Sequence, residues 1–428
     1  MAEQAKPGTA AAAGEAAAGA GAPRGVNVKS EIGPLKRVLL HRPGAELLNL
    51  TPNTLDELLF DDIPYLKAAQ REHDAFAETL RENGVEVVYL ERLMAEVLDC
   101  DPGLREDFLA VYVDECGVRT DRYRRIVHDY LAAIEDNDEF VLKSMAGLKL
   151  SELNITPTSS LYYQVTPPQN MVVAPMPNLY FTRDPFATVG RGVSVNRMYS
   201  ATRNRETIYG DFIFRHHPDY RCVPRYYGRD FPFHTEGGDV LNLNDRTIAL
   251  GISQRTEVDA IELMAQNIFA DEESSIEAVL AFQIPSSRAF MHLDTVFTQV
   301  DYDKFTVHPG ILGPLSVFLL TPDGAGELCV EKIDDTLENI LARVVGSPVD
   351  LIPCGAGDSV AAEREQWNDG SNTLCIAPGT IVVYDRNEVT NAELRRRGLK
   401  VIEVPSSELS RGRGGPRCMS MPLWREDL

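Results

Sequence analysis

Long apolar runs are missing from this 428-residue chain. None approaches the roughly 20 residues that span a bilayer, so a helical membrane protein is excluded. The opening stretch, Met1 to Pro23, lacks the charged-then-apolar pattern of a secretory signal, so the chain reads as cytoplasmic. That stretch is rich in Ala, Gly and Glu and has almost nothing to bury, so residues 1–27 read as a disordered tail. Positive charge is scarce: 42 Lys and Arg stand against 64 Asp and Glu, a formal net charge of −22. So acidic a chain is a poor partner for nucleic acid, though it is compatible with a cationic small molecule. Cysteine pattern is missing too. The seven cysteines, at 100, 116, 222, 329, 354, 375 and 418, show no spacing of a zinc site or a redox pair. They read as mostly reduced, buried, small hydrophobes.

The hydrophobic content of 44% is that of a globular protein. Ordered sequence begins near Val28. Pro34 to His41 reads as a strand, Tyr65 to Asn83 as a helix with apolar residues at helical spacing, and Val85 to Leu90 as a second strand. Residues 91–156 then change character. Glu91 to Leu98, Arg105 to Val113, Thr120 to Ile134 and Asp138 to Lys143 carry helical patterns, which suggests an inserted bundle.

Afterwards one order recurs. Met171 to Ala174, Leu179 to Phe181 and Val193 to Val195 read as strands, followed by a helix from Arg203 to Phe214 and extended chain at Arg225 to Tyr227. Asp239 to Leu243 and Thr247 to Gly251 form a hairpin, then a helix from Thr256 to Phe269 and a strand from Ile276 to Phe282. The next copy has Thr295 to Val300, Lys304 to Val307, a helix from Asp334 to Val345 and a strand from Val349 to Ile352. The last has Thr373 to Ala377, Ile381 to Tyr384, a helix from Thr390 to Arg397 and a strand from Lys400 to Val404. Five units of strands, helix and strand suggest radial repetition, in which small sheets bury their faces against one another. A three-layer α/β sheet fits the pattern as well.

Near the C-terminus, Ser410 to Ser420 places Cys418 among Arg411, Arg413 and Arg417, with glycine at three of six positions. Glycine there means a sharp bend or a close approach. Neighbouring cations favour thiolate, the reactive form, so the loop reads as a nucleophile on an electropositive turn. Three other loops hold comparable positions in their units: Met176 to Asp184, His234 to Asp239, and Met291 to Asp294. Each has a plainer alternative. Asp184 before Pro185 fits a turn, Glu236-Gly237-Gly238 fits a bulge, and His292 and Asp294, alternating on a strand, fit a buried pair. Metal ligation is disfavoured because no second His or Cys stands at ligand spacing. Together the residues make chemical sense. A cysteine nucleophile needs a proton-carrying His, and that His a carboxylate to orient it. Two further carboxylates suit a planar guanidinium, and arginines suit an anionic end. The ligand with both ends is an amino acid such as arginine.

On these motifs, joined by Ser30-Glu31-Ile32-Gly33, Leu58 to Asp62 and Glu365 to Gly370, the chain resembles the arginine deiminases of the guanidino-group-modifying superfamily from Ser30 onward. The resemblance implies an α/β fold, a five-bladed pseudo-symmetric propeller spanning 28–428, with the helical insertion at 91–156. It implies hydrolysis of L-arginine to L-citrulline and ammonia, without metal or organic cofactor, by a homo-oligomer of two or four copies. Cys418 is then the nucleophile, and His292 the acid and later the base. Glu236 holds His292 and the substrate nitrogen. Asp184 and Asp294 clamp the guanidinium. Asn178, Arg203 and Arg255 meet the α-carboxylate, and Phe181 packs on the methylene stem. Arg413 is mobile and pairs with Asp294 when substrate is absent. Arg417 stands before the cysteine where some relatives have His, a departure that bears on how Cys418 is tuned. The competing readings are a superfamily member acting on agmatine, a methylated arginine or a transfer acceptor, and a non-catalytic arginine-binding protein.

Overall fold

The computed structural model describes residues 24–285, 290–311 and 314–428. Of the expected tail, residues 1–23 lie outside the described residues. The remainder is packed: Val26 is buried and Asn27 bridges to Trp424, so ordered chain begins before Val28.

The chain is a mixed α/β protein in which five small sheets repeat one connection. Two antiparallel strands are followed by a helix and a third strand lying parallel to the second. A parallel pair needs such a crossover to bring the chain back to the same edge. The last unit shows it plainly. Leu374–Ala377 and Thr380–Tyr384 pair antiparallel, the helix Glu388–Arg396 follows, and Lys400–Val404 runs parallel to Thr380–Tyr384. Gly192–Val195, Thr247–Ile252 and Lys304–Val307 are the corresponding middle strands of the three preceding units. In the first unit Leu35–Leu40 lies parallel to Glu86–Tyr89. Its antiparallel partner is Met421–Arg425, from the opposite end of the chain.

Each helix covers its sheet with an apolar stripe. Ala69, His73, Phe76, Ala77 and Leu80 are buried on Leu66–Glu82, at the three-and-four spacing of one helical face. The inserted helices Leu90–Cys100, Gly103–Glu115, Asp121–Ala132 and Asn137–Ala146 have no core of their own. Phe108, at their centre, packs on Tyr112 and Phe140 and equally on Tyr209 and Phe212 of the second unit's helix. The insertion and the second unit thus share one core.

Several expectations change. Leu179 to Phe181, expected as a strand, belongs to a 3-10 turn at Pro177–Tyr180, with proline at its first position. His292 and Asp294 likewise sit on a turn rather than a strand, because Thr295 N–H bonds back to His292 C=O at 3.1 Å. The hairpin strand expected from Asp239 starts at Val240, after a turn at Gly237–Asp239. Asp334–Thr336 finishes a strand instead of starting a helix, in the hairpin Pro314–Pro322 and Leu328–Thr336. That hairpin extends the third sheet, and the periodicity gave no sign of it. Three cysteines, Cys100, Cys222 and Cys329, are exposed, and all seven are free. Among the described residues no helix is long and apolar enough to cross a membrane.

The strand Met421–Arg425 joins the two ends of the chain, and Leu423 on it is buried. Leu423→Ala is expected to lower unfolding stability by about 2–5 kcal/mol, the range for a buried leucine. The check is a fall in the urea midpoint with an unchanged slope.

Candidate active site

Cys418 is held by its backbone from two sides. Its N–H donates to Asn372 Oδ1 at 3.2 Å, and its C=O accepts from Arg183 N–H at 3.1 Å. The glycines before it serve close approach rather than a left-handed turn. A Cβ on Gly412 would lie 1.8 Å from Tyr180 Oη, and one on Gly414 would lie 2.3 Å from the Phe181 ring. Tyr180 and Tyr384 hydroxyls donate to the carbonyls of Leu409 and Gly414. On the upstream side, the Glu72 carboxylate accepts the N–H groups of Glu408 and Leu409.

The turn is not electropositive toward the sulfur. Arg411 pairs with Asp62 and Glu408, and Arg413 with Asp61. Of the three, Arg417 is the one that draws the thiol down appreciably, and it is fully buried in ion pairs of its own. Its Nε and Nη2 donate to Glu31, its Nη1 donates to Asp294 Oδ2 at 2.9 Å, and Nη2 also reaches Val240 C=O. Cys418 Sγ lies 3.5 Å from the same Asp294 oxygen. Burial, then Asp294, Asp184 and Asp369, push the thiol well above its ordinary range, and Arg417 only partly opposes them. At 3.5 Å a single carboxylate opposes thiolate by on the order of 5 kcal/mol at an effective dielectric near 20. These surroundings favour the protonated thiol, the reverse of the expectation from three flanking arginines.

His292 is brought to the same place by the turn at Leu293–Thr295, with its ring packed against Gly238. A Cβ there would lie 2.5 Å from Nδ1. Nε2 donates to Glu236 Oε2 at 2.8 Å, and Nδ1 lies 3.9 Å from Asp184 Oδ1. Burial disfavours the imidazolium, but Asp184, Glu236 and Asp239 outweigh it and raise His292 to about 9. Glu236 is itself buried, which works against ionisation. Arg255, His292 and Arg203 overcome this and hold it at about 2.

Asp184 and Asp294 share one property. Each gives one oxygen to an arginine, Asp184 Oδ2 to Arg203 Nη1 and Asp294 Oδ2 to Arg417 Nη1, both at 2.9 Å. Each has its Oδ1 buried with no hydrogen-bond partner among the described residues. An unsatisfied buried carboxylate oxygen is costly and points to a missing donor.

A cavity of about 440 Å³ opens on this group, and Asp184, His292 and Cys418 line it. The remaining candidates lie along it. Phe181 forms one wall, and Asn178 donates to Leu58 C=O at 2.7 Å. Arg203 grips Glu206 as well as Asp184, and Arg255 reaches Glu236 at 3.4 Å. Arg413 is not on Asp294. Arg417 occupies that position, and Arg413 turns outward to Asp61, stacked over Trp367. Glu31 and Asn372, given no role from sequence, prove to build the site, together with Arg417, expected only to tune Cys418. The first two stand in or beside the motif words quoted above, but nothing local in them gives their partners.

Asp184, Glu236 and His292 offer ligand atoms within 4.8 Å of one another, close enough for one metal ion. The chemistry of the set does not fit one. His292 is held as the cation, and the two carboxylates already carry the guanidiniums of Arg203 and Arg255.

The fold is that of the amidinotransferases and dimethylarginine hydrolases. A dimethylarginine dimethylaminohydrolase bound to S-methyl-L-thiocitrulline superposes with a TM-score of 0.50, at 15% identity, over 90% of this chain and 99% of that one. An amidinotransferase of saxitoxin biosynthesis from Microseira wollei does so with a TM-score of 0.50, at 15% identity, over 94% and 98%. The family model for arginine deiminase matches residues 56–425. Curated arginine deiminases are similar over nearly the whole chain. That of Treponema denticola is 60% identical over 406 residues, 94% of this chain and 99% of the relative. That of Clostridium perfringens is 56% identical over 409 residues, 95% and 99%. The chain belongs to the arginine deiminase family, and its reaction is hydrolysis of the amidine C–N bond of arginine.

The ion pairs give a pH signature. His292 is raised in the folded state, so its contribution to stability is complete below pH about 6.5 and is lost as pH rises through about 9. His292→Gln is therefore expected to be less stable than the wild type by on the order of 3 kcal/mol near pH 6. The gap narrows toward about pH 9. Denaturant midpoints of both proteins across that range check it.

Proposed function

We propose that arginine is converted to citrulline and ammonia here through a covalent S-amidino intermediate on Cys418. The observation that carries this reading is the pair of unpartnered carboxylate oxygens, Asp184 Oδ1 and Asp294 Oδ1, buried beside Cys418 and His292. A guanidinium presents N–H donors on opposite edges of one plane, which suits two carboxylates facing each other.

The bound guanidinium fixes its own orientation and adds positive charge next to the sulfur. It compensates Asp294 and Asp184, two of the acids that keep the thiol protonated. The thiol then ionises, and its proton leaves to water. Sulfur attacks Cζ, which the clamps hold near it, an orientation effect. His292, kept protonated by Asp184, Glu236 and Asp239, gives its proton to the departing nitrogen, and ammonia leaves. A thiouronium cation remains between the two carboxylates. Neutral His292 now takes a proton from water as that water attacks the same carbon. The C–S bond breaks, and citrulline and free Cys418 result.

Asn178, Arg203 and Arg255 serve the α-carboxylate, and Phe181 the methylene stem. Their place along the cavity supports this assignment. The five repeated sheets support a five-bladed propeller, with residues 28–428 as the catalytic domain and 91–156 as its insertion. That insertion contributes to a shared core, which supports a structural role. Assembly as a dimer or tetramer and a cytoplasmic location complete the reading.

Cys418→Ala is expected to cut citrulline formation by roughly 10⁴-fold or more while still binding arginine. In His292→Ala, mass spectrometry after acid quench is expected to find the amidino adduct on the Cys418 peptide. An adduct on another cysteine would refute the assignment. Arg203→Ala and Arg255→Ala each remove a charged contact worth about 1.5–3 kcal/mol. Both are expected to weaken arginine binding, and the wild type is expected to use agmatine poorly. Equal efficiency on agmatine would show that the carboxylate contacts are wrongly placed.

A further inference from the structure

Asp239 enters the reaction above only as one of the acids that keep His292 protonated. Its hydrogen bonds reach further. The side chain is fully buried in the turn Gly237–Asp239, directly after Glu236. Its Oδ1 accepts the Leu293 N–H at 2.8 Å. Its Oδ2 accepts the hydroxyls of Ser253 at 2.6 Å and Thr256 at 2.7 Å. All three bonds need an acceptor, and the ionised carboxylate is acceptor only. Burial raises the carboxyl to about 6, while His292 and the three donors oppose that rise, so it is ionised at neutral pH.

Each partner carries a residue of the site. Leu293 follows His292 in the turn that presents the imidazole. Thr256 Oγ1 accepts the Glu236 N–H at 3.2 Å. Ser253 Oγ accepts the N–H groups of Arg255 at 2.9 Å and of Thr256 at 3.1 Å. One carboxylate is thus linked, directly or through one hydroxyl, to the backbone that carries His292, Glu236 and Arg255. The strand Thr247–Ile252 closes on it as well: a Cβ on Gly251 would lie 2.2 Å from Oδ1.

We propose that Asp239 is a positioning residue that sets the spacing of His292, Glu236 and Arg255. It deepens the reading above and rests on His292 as the proton carrier. His292 Nε2 meets Glu236 at 2.8 Å and Arg255 Nη1 meets the same carboxylate at 3.4 Å, and both contacts cross between separate loops. Asp239 is bonded to all three loops, through charge-assisted bonds that are shorter and stronger than neutral ones. A misplacement of about 1 Å between such groups costs on the order of a hundredfold in rate.

Asp239→Asn keeps the shape and the bond from Leu293, but its Nδ2 cannot accept from Ser253 and Thr256. It is expected to lower kcat/KM for arginine about tenfold to a hundredfold. It is also expected to move the alkaline limb of the kcat/KM profile, set by the imidazolium of His292, to lower pH. The acids facing that cation are Asp184, Glu236 and Asp239, and one of them has then lost its charge. The hydroxyls separate the arms of the network, and they decide the matter if Asp239→Asn does not fold. Ser253→Ala frees the Arg255 loop and is expected to act mainly on KM. Thr256→Val frees Glu236 and is expected to act mainly on kcat. A folded Asp239→Asn protein with wild-type kcat/KM, or with a lowered value and an unmoved limb, would overturn the proposal. So would hydroxyl variants that keep both parameters or change them alike, the mark of a purely structural role. Turnover that survives His292→Ala would instead refute the reading of the proton carrier, and this inference with it.

Discussion

The buried guanidinium of Arg417 is the contact on which the geometry of the site depends. It touches Glu31 near the start of the described chain, Asp294 in the fourth unit and the Val240 carbonyl in the third. One side chain thus ties together segments up to 386 residues apart. Breaking such a buried pair from one side costs roughly 3–5 kcal/mol, because the other charge stays buried. Arg417 holds Glu31 ionised at about 2 against the effect of its burial. By engaging Asp294 Oδ2, it also decides which oxygen of that carboxylate is left over.

The carboxylates of the site have cations beside them, yet two of their oxygens lack a donor among the described residues. Arg203 pairs with Asp184, Arg417 with Asp294, and Arg255 shares Glu236 with the imidazolium of His292. What remains is a protonated thiol, held so by burial and acids, and two unsatisfied oxygens. Both defects are corrected by a planar cation. In the proposed reaction binding and activation are then linked, because the bound cation offsets Asp184 and Asp294, two of the acids that disfavour thiolate. A protein in which the flanking arginines held the sulfur as thiolate would expose a reactive nucleophile to any electrophile. Here those arginines are spent on Asp61, Asp62 and Glu31 instead.

The repeated sheets deliver these groups through loops at equivalent places. Asp184 precedes the strand Phe186–Val189, Glu236 precedes Val240–Asn242, and Asp294 precedes Phe297–Gln299. Cys418 precedes Met421–Arg425, the strand that completes the first sheet. Each functional residue therefore enters its sheet at the same step of the repeat. Glycines at 238, 412 and 414 let these loops approach His292, Tyr180 and Phe181 closely.

Local pattern made much of this legible. Helical stripes such as Ala69 to Leu80 and hairpins such as Leu374 to Tyr384 depend on neighbours in sequence, so their periodicity marks them. The residue types of nucleophile, proton carrier and clamps stood out for the same reason: their chemistry belongs to single side chains in short words. The turns at Pro177–Tyr180 and Leu293–Thr295 were misread as strands, since segments of three or four residues are too short for periodicity to separate the two forms. The hairpin Pro314–Pro322 with Leu328–Thr336 was missed because it is an addition to the repeated unit, and the strand Met421–Arg425 because its partner Leu35–Leu40 lies far away in sequence. The ionisation of Cys418 was read in the wrong direction. From sequence, three arginines stand beside the thiol, but nearness along the chain is not nearness of charge. Folding sent two of them outward to acids and pledged the third to Glu31 and Asp294. It also removed the water that would have screened Asp184, Asp294 and Asp369. The sequence determined which groups were available, because side-chain chemistry is local. Only the tertiary structure decided which charge each would meet and at what dielectric, because both depend on contacts between residues far apart in the chain.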